Sequence, residues 1–174
     1  REGRSWNALG AQKKLLELQP NDAEAHFDLA LLYGELGLAN EELTAYFQTL
    51  LLDPDFDQAY VAIGQKIRGF RFRSSQPILY PIFDTLIAAG RYVRPANVAK
   101  AVLSLLSHDP LLERLLAQPA DVEGAKQFRV AVRGISRVPL LQTLMKDCAI
   151  PDLRFEALFS TMRRVALAQR RAAD

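Results

Sequence analysis

Three aspartates alternate in the segment DPDFD, at positions 53, 55 and 57. Alternating carboxylates of this kind open a calcium-binding loop, because each can place an oxygen on the cation. Such a loop also needs a following glycine and a closing glutamate, and Gln65 and Lys66 stand in that region instead. We therefore interpret these acids as residues that begin the next helix and not as metal ligands.

The sequence offers few other groups for catalysis. It contains two histidines, His26 and His108, and a single cysteine, Cys148, which are too few for a structural zinc site. The segments GAQKK and GQK lack the spacing of a glycine-rich phosphate loop. We interpret Cys148 as a small buried apolar residue. The sequence therefore predicts no catalytic constellation, no metal site and no cofactor, so we expect this chain not to be an enzyme by itself.

The segment RGFRFRSS interleaves Arg68, Arg71 and Arg73 with Phe70 and Phe72. Arginines with aromatic neighbours can neutralise phosphates and stack on bases. The alternative is an irregular turn whose phenylalanines join the preceding helices to those that follow and whose arginines meet acidic groups. We favour the turn, because one short patch is weak support for nucleic-acid binding.

The tail also carries a group of arginines, beside apolar residues at helical spacing. We interpret it as an amphipathic helix with a solvated basic face and not as a membrane anchor. Its arginines are Arg163, Arg164, Arg170 and Arg171.

Composition and charge indicate the broad class of protein to which this chain belongs. The chain has 174 residues, of which 49% are hydrophobic and 24% charged, which is enough to build a globular core. Residues 1–66 carry 5 Lys/Arg against 11 Asp/Glu, a net of −6, and residues 67–174 carry 17 against 9, a net of +8. No apolar run is long enough for a membrane span, and one cysteine cannot form an internal disulfide, so we expect a cytoplasmic protein. The chain begins at Arg1, and we expect it to be part of a longer protein.

Two similar phrases, LLELQPND and LLLDPDF, place Pro20 and Pro54 34 residues apart. A 34-residue period with helix–turn–helix content is typical of the tetratricopeptide repeat, and the unit from Ala23 to Pro54 resembles that family. It departs from the family pattern at Glu42, where a small residue is usual, and at Thr49, which replaces an alanine. The residues that carry the resemblance are His26, Leu29, Ala30, Tyr33, Gly37, Tyr46 and Pro54.

The apolar residues of this unit cover more than one face of each helix, as Leu29 and Leu32 do in the first and Leu43 and Phe47 in the second. A helix of this kind must lie between two neighbours and cannot rest on a single core. Stacked helix pairs provide such neighbours, so the pattern supports an all-α, repeat-type superhelix.

Partial repeats flank the central unit. Residues 1–22 fit the second half of a preceding unit, with Gly3 at its turn, so we expect a lone helix over residues 1–19 that leaves Trp6, Leu9 and Leu16 poorly covered. The phrase YVAIGQKI, with Gly64 in register, opens a third unit that continues only loosely to residue 89. We therefore divide the chain into repeats at 1–89 and a non-repeat helical region at 90–174.

The second region predicts helices and no sheet, because no segment alternates between apolar and polar residues. Asp109 and Asp121 are plausible helix caps. Two leucine-rich phrases in this region, SHDPLLERLLAQ and AIPDLRFEALFSTMRRVALAQ, resemble the helices that follow the repeats in bacterial tetratricopeptide proteins with a methyltransferase domain. The predicted helices are Pro95–Ser107, Pro110–Gln118, Val122–Ile135, Pro139–Cys148 and Leu153–Arg171.

The family resemblance implies a function in protein binding. Tetratricopeptide stacks bind a peptide or protein in their concave groove, so we expect a protein–protein interaction scaffold with no metal, no membrane and no nucleic acid among its partners. One alternative is the non-catalytic arm of a methyltransferase that depends on S-adenosylmethionine; another is that the C-terminal helices fill the groove. By family geometry the groove residues are Glu24, Phe27, Leu31 and Gly34 in one unit and Gln58, Val61, Gln65 and Arg68 in the next.

Overall fold

A computed structural model describes residues 2–90, 92–118, 125–148, 150 and 152–171. Within these residues the chain forms ten α-helices and one short 3-10 helix, and no strand occurs among them. The prediction of an all-α fold is confirmed. The helices are α1 Glu2–Leu18, α2 Ala23–Glu35, α3 Ala39–Leu52, α4 Asp57–Lys66, α5 Tyr80–Ala89, α6 Pro95–Leu106, α7 Pro110–Ala117, α8 Ala125–Ile135, α9 Pro139–Asp147 and α10 Leu153–Arg171, with the 3-10 helix at Pro77–Leu79.

The helices belong to two compact units. The first contains residues up to 68 together with Tyr92 and Val93, and the second contains 69–90 and the described residues from 94 onward. The assignment of residues 75–89 to a third repeat remains a prediction.

The first unit packs its helices in chain order. α2 packs on both α1 and α3, and α3 packs on α4. Gly37, with a φ of 72°, follows α2 in the left-handed conformation that glycine adopts at helix ends. α3 therefore has neighbours on two sides, as its apolar pattern predicts. Its buried residues are Glu42, Leu43, Ala45, Tyr46, Phe47, Thr49 and Leu50.

The N-terminal helix corrects two expectations. The single helix predicted over residues 1–19 is present as α1, but Gly3 lies inside it and not in a turn. Trp6 is exposed and Leu16 is half-buried, whereas Leu9 is only 4% exposed. The expectation that Leu9 is poorly covered was therefore wrong: α1 packs on α2, and this packing leaves Leu9 almost no solvent contact.

Two residues of the first unit, Tyr92 and Val93, come from a later part of the chain. The Tyr92 ring stacks on Tyr60 of α4 with centroids 4.9 Å apart, and the Tyr92 hydroxyl donates to the Asp57 carboxylate. A Cβ added at Gly64 would lie 3.0 Å from the Tyr92 carbonyl oxygen and 3.0 Å from the Val93 Cβ. Gly64 therefore allows this segment to approach α4 closely.

The second unit has its own core, in which α5 packs on α6 and α9, and α10 packs on α7 and α8. Asp109 caps α7 as predicted, because its Oδ1 accepts from the backbone N–H groups of Leu111 and Leu112 at 3.0 and 3.2 Å. The other proposed cap, Asp121, and the first three residues of the predicted helix 122–135 lie outside the described residues. Fully buried side chains of this core include Phe83, Leu86, Leu105, Leu112, Leu140, Leu141 and Phe155.

The RGFRFRSS segment contributes a core residue to the second unit. Phe72 is buried and meets Phe83 edge-on, with centroids 5.7 Å apart. Its backbone N–H donates to the Ser104 hydroxyl at 3.0 Å, and its carbonyl lies 3.0 Å from the His108 ring nitrogen. Phe72 is therefore committed to packing, which supports the turn interpretation over base stacking. None of the helices described here is both long and apolar enough to span a bilayer.

Candidate protein-binding surface

Helix α2 is fixed at its start by its own sequence. The Asp22 carboxylate accepts from the Ala25 backbone N–H at 3.0 Å, which satisfies one of the free donors of the first turn. A ring nitrogen of His26 lies 3.0 Å from the Pro20 carbonyl oxygen. These bonds set where α2 begins, and the packing of α2 on α1 and α3 determines which of its residues face solvent.

One face of α2 carries the predicted groove residues. Glu24 is exposed, and Leu31 keeps 47% of its surface exposed although it is apolar. Phe27 lies between them and is half-buried, because its ring contacts Tyr46 of α3 at 5.4 Å and Phe56 at 4.9 Å between centroids. Phe27 therefore has a packing role as well as a place on this face.

The second predicted set lies on α4 and just beyond its end. Gln58, Val61 and Gln65 are three and four residues apart, which places them on one side of the helix, and all three are exposed. Val61 keeps 42% of its surface exposed, and Arg68, two residues after α4, is exposed as well. Phe56, which Phe27 contacts, is the N-cap residue of α4. We call these seven residues the α2–α4 face: Glu24, Phe27, Leu31, Gln58, Val61, Gln65 and Arg68.

Gly34 lies on the same side of α2, three residues after Leu31, but it also contacts α3. A Cβ added there would lie 2.7 Å from the Glu42 Oε1 atom, so Gly34 is in contact with α3. That Gly34 lines the groove remains a prediction. Its lack of a side chain leaves room for the buried Glu42 carboxylate.

Glu42 itself forms an ion pair that sequence reasoning missed. Its carboxylate is 6% exposed, and Lys66 of α4 approaches it with 3.1 Å between Nζ and Oε1. Burial, followed by the charge of Glu42, raises the pKa of Tyr46. The one signal in the sequence was the carboxylate at a position where the family has a small residue, and nothing in the spacing identified its partner.

A separate cavity of about 370 Å³ opens between α2 and α3. The three α2 residues that line it, His26, Leu29 and Tyr33, lie on another side of the helix from Leu31. The groups on its wall already have structural contacts: the Thr44 hydroxyl donates to the Asn40 carbonyl at 2.8 Å, and Lys13 lies 5.6 Å over the Tyr33 ring. The remaining lining residues are Asn40, Glu41, Ala45 and Gln48.

Cys148 and possible metal ligands are two further candidates for chemistry. Burial raises the pKa of the Cys148 thiol and the charge of Asp147 raises it further, which disfavours the reactive thiolate. Among the described residues, no group of three or more His, Cys, Asp or Glu side chains could hold a metal ion.

A family model described as tetratricopeptide repeat matches residues 11–44. The match covers the C-terminal part of α1, all of α2 and the beginning of α3. No curated protein and no solved structure matches the chain.

Proposed function

Because this chain contains a tetratricopeptide repeat, we propose that it is a protein-interaction scaffold that binds a peptide or protein segment along the α2–α4 face. The observation that carries the proposal is the exposure of two apolar side chains, Leu31 on α2 and Val61 on α4, in the first unit. Val61 also stands 34 residues after Phe27, at the same position of the repeat. Apolar groups grouped in this way on a surface are typical of contact sites.

The polar residues of the α2–α4 face indicate which chemical groups a partner would carry. Arg68 offers a charge-assisted hydrogen bond to an acidic group, and Glu24 offers one to a basic group. Gln58 and Gln65 carry amides that can pair with the backbone of an extended segment. Glu24 and Asp28 would repel a free C-terminal carboxylate, so we favour an internal segment with apolar residues flanked by charge.

Selection from a random peptide display library tests this proposal with the whole chain. Peptides that bind should lose at least about tenfold in affinity when Leu31 and Val61 are both changed to Glu, a loss of about 1.4 kcal/mol. Leu18→Glu is the matched control, because Leu18 is also an exposed leucine of the first unit but lies at the end of α1. Selected peptides that bind the double variant as well as the parent would refute the proposal.

The alternative function, the arm of a larger methyltransferase, remains a prediction from resemblance. No feature of the described residues favours it over the scaffold.

A further inference from the structure

The second unit carries its positive charge on exposed side chains. All of its lysines and arginines whose side chains the structure describes are exposed. Its acids differ, since Asp84, Asp109 and Asp152 are at least partly covered. The cations can therefore reach a partner, while some of the acids are partly buried within the unit.

Helix α8 arranges these cations in a line. At 100° per residue, Lys126, Arg129 and Arg133 lie within an arc of about 60°, and they span about 10 Å along the axis. Arg137, in the turn after the helix, follows at the same spacing of four residues. Val130 lies on the same side and is 57% exposed. We call these five residues the basic stripe.

The opposite side of α8 packs into the core of the second unit. Ala131 and Ile135 are buried, and a Cβ at Gly134 would lie 2.5 Å from a methyl carbon of Leu111 in α7. This packing fixes the rotation of α8, so the basic stripe points to solvent. Within the described residues, none of its four cations forms an ion pair, and α8 itself contains no acid.

We propose that the basic stripe docks an acidic helical segment of a partner protein. Carboxylates three and four residues apart on a helix repeat at the same spacing as the cations of the stripe, so two such helices can pair along about 10 Å. Three of the four cations are arginines, whose planar guanidinium groups bind carboxylates in pairs of hydrogen bonds.

Val130 favours a protein over a nucleic acid as the occupant. It lies at one edge of the stripe, about 40° round the helix from Lys126. There an apolar side chain of a partner helix can cover it, whereas a sugar–phosphate backbone offers little apolar surface. The stripe also contains no aromatic side chain on which bases could stack. The half-buried Phe128 lies about 160° round the helix from Lys126 and about 140° from Arg133.

This docking surface lies in a different unit from the α2–α4 face and does not depend on it. The two tests can therefore fail separately. A chain with Leu31→Glu and Val61→Glu should still bind the acidic helix.

The experiment uses the whole chain and a labelled helical peptide with Glu at four positions spaced three, four and four apart and a Leu between them. We expect fluorescence anisotropy to show binding that weakens with salt, and the double variant Arg129→Gln/Arg133→Gln to lose at least about tenfold in affinity. The matched control is Arg94→Gln/Lys100→Gln, which removes the same charge from exposed positions on α6 and at its start and should change affinity less than about twofold.

Four results would overturn the inference. The two double variants could lose affinity equally, which would mean a general charge effect. A peptide of the same composition with its Glu residues spread around the helix could bind as tightly. A DNA duplex could bind more tightly than the peptide at the same salt, or the chain alone could self-associate through the stripe in a manner that Arg129→Gln/Arg133→Gln abolishes.

Discussion

Glu42 and Lys66 join α3 to α4 through an ion pair in which the carboxylate is nearly inaccessible and the ammonium side chain is 49% exposed. The pair occurs beside Gly34, whose missing side chain leaves space for the carboxylate. Glu42 stands at a position where the repeat that this unit resembles usually has a small residue. A buried carboxylate depends strongly on its partner, since an unpaired buried charge is costly.

Replacing Lys66 with Met should therefore lower the free energy of unfolding by about 1–3 kcal/mol. The double variant Glu42→Gln/Lys66→Met should lose less, because no buried charge is left unpaired. Urea denaturation of the parent, the two single variants and the double variant measures the coupling. Arg154→Met is the control, as its ion pair with Asp152 is more exposed and should contribute less than about 1 kcal/mol. Additive effects of Glu42 and Lys66 would contradict this account.

Phe27 and Leu31 should respond differently to truncation. Phe27→Ala removes ring contacts with Tyr46 and Phe56, so we expect a loss of about 2–3 kcal/mol, at the lower end of the range for buried large-to-small changes. Leu31→Ala removes a side chain that is nearly half exposed and should change stability by less than about 1 kcal/mol. Thermal unfolding followed by circular dichroism separates the two. An equally large loss for Leu31→Ala would show that Leu31 is covered, as the filled-groove alternative requires.

Gly64→Ala tests whether Tyr92 and Val93 pack against α4. The added methyl group would meet the Tyr92 carbonyl oxygen and the Val93 Cβ at 3.0 Å, so we expect a loss of about 1–3 kcal/mol from overpacking. Gly10→Ala is the matched control, because it adds the same group inside α1. There, apart from its chain neighbours and the backbone of its own helix, the new methyl group would meet no described atom within 4 Å. It should stabilise the protein by about 0.5–1 kcal/mol. A stabilising Gly64→Ala would mean that residues 92–93 do not pack there.

We expect the stability of the folded chain to depend on pH through Asp84. Burial raises the pKa of its carboxyl above the ordinary 3.8, while a hydrogen bond from Thr143 partly offsets this, and among the described residues its Oδ1 has no hydrogen-bond partner. The folded state therefore binds the Asp84 proton more tightly than the unfolded state does. Its contribution to stability falls as pH rises from 3.8 through the raised pKa and stays low above it.

Asp84→Asn should consequently be more stable than the parent near neutral pH, and this advantage should shrink as the pH falls toward 3.8. Thermal unfolding of both proteins between pH 3.5 and 7.5, at roughly constant ionic strength, measures the difference. An advantage that stays constant over the whole range would contradict the assigned titration.

The sequence predicted the helices well because local signals mark their ends. Pro95, Pro110 and Pro139 each stand in the first turn of a helix, and Asp109 supplies a cap. These features act over a few residues, so the pattern of one segment is enough to recognise them. The helix predicted at Leu153–Arg171 has the same ends in the structure.

Contacts between distant residues could not be predicted in this way. Glu42 and Lys66 are 24 residues apart, and Phe72 and Ser104 are 32 apart, and helical periodicity carries no information about such pairs. The burial of Leu9 likewise depends on how α1 packs on α2. For the candidate site, the family resemblance predicted that Leu31 and Val61 lie in the groove, and both are exposed, but it could not show that Gly34 contacts Glu42.

The central claim is that a partner segment contacts the α2–α4 face and not the cavity on the other side of α2. Site-specific photocrosslinking tests it most directly, with benzoylphenylalanine placed at Gln65 in one protein and at Gln48 in another. Both side chains are exposed, and Gln48 lines the cavity between α2 and α3. With a peptide selected from the display library, the account predicts a crosslink from position 65 and none from position 48. A crosslink from position 48 without one from position 65 would contradict it.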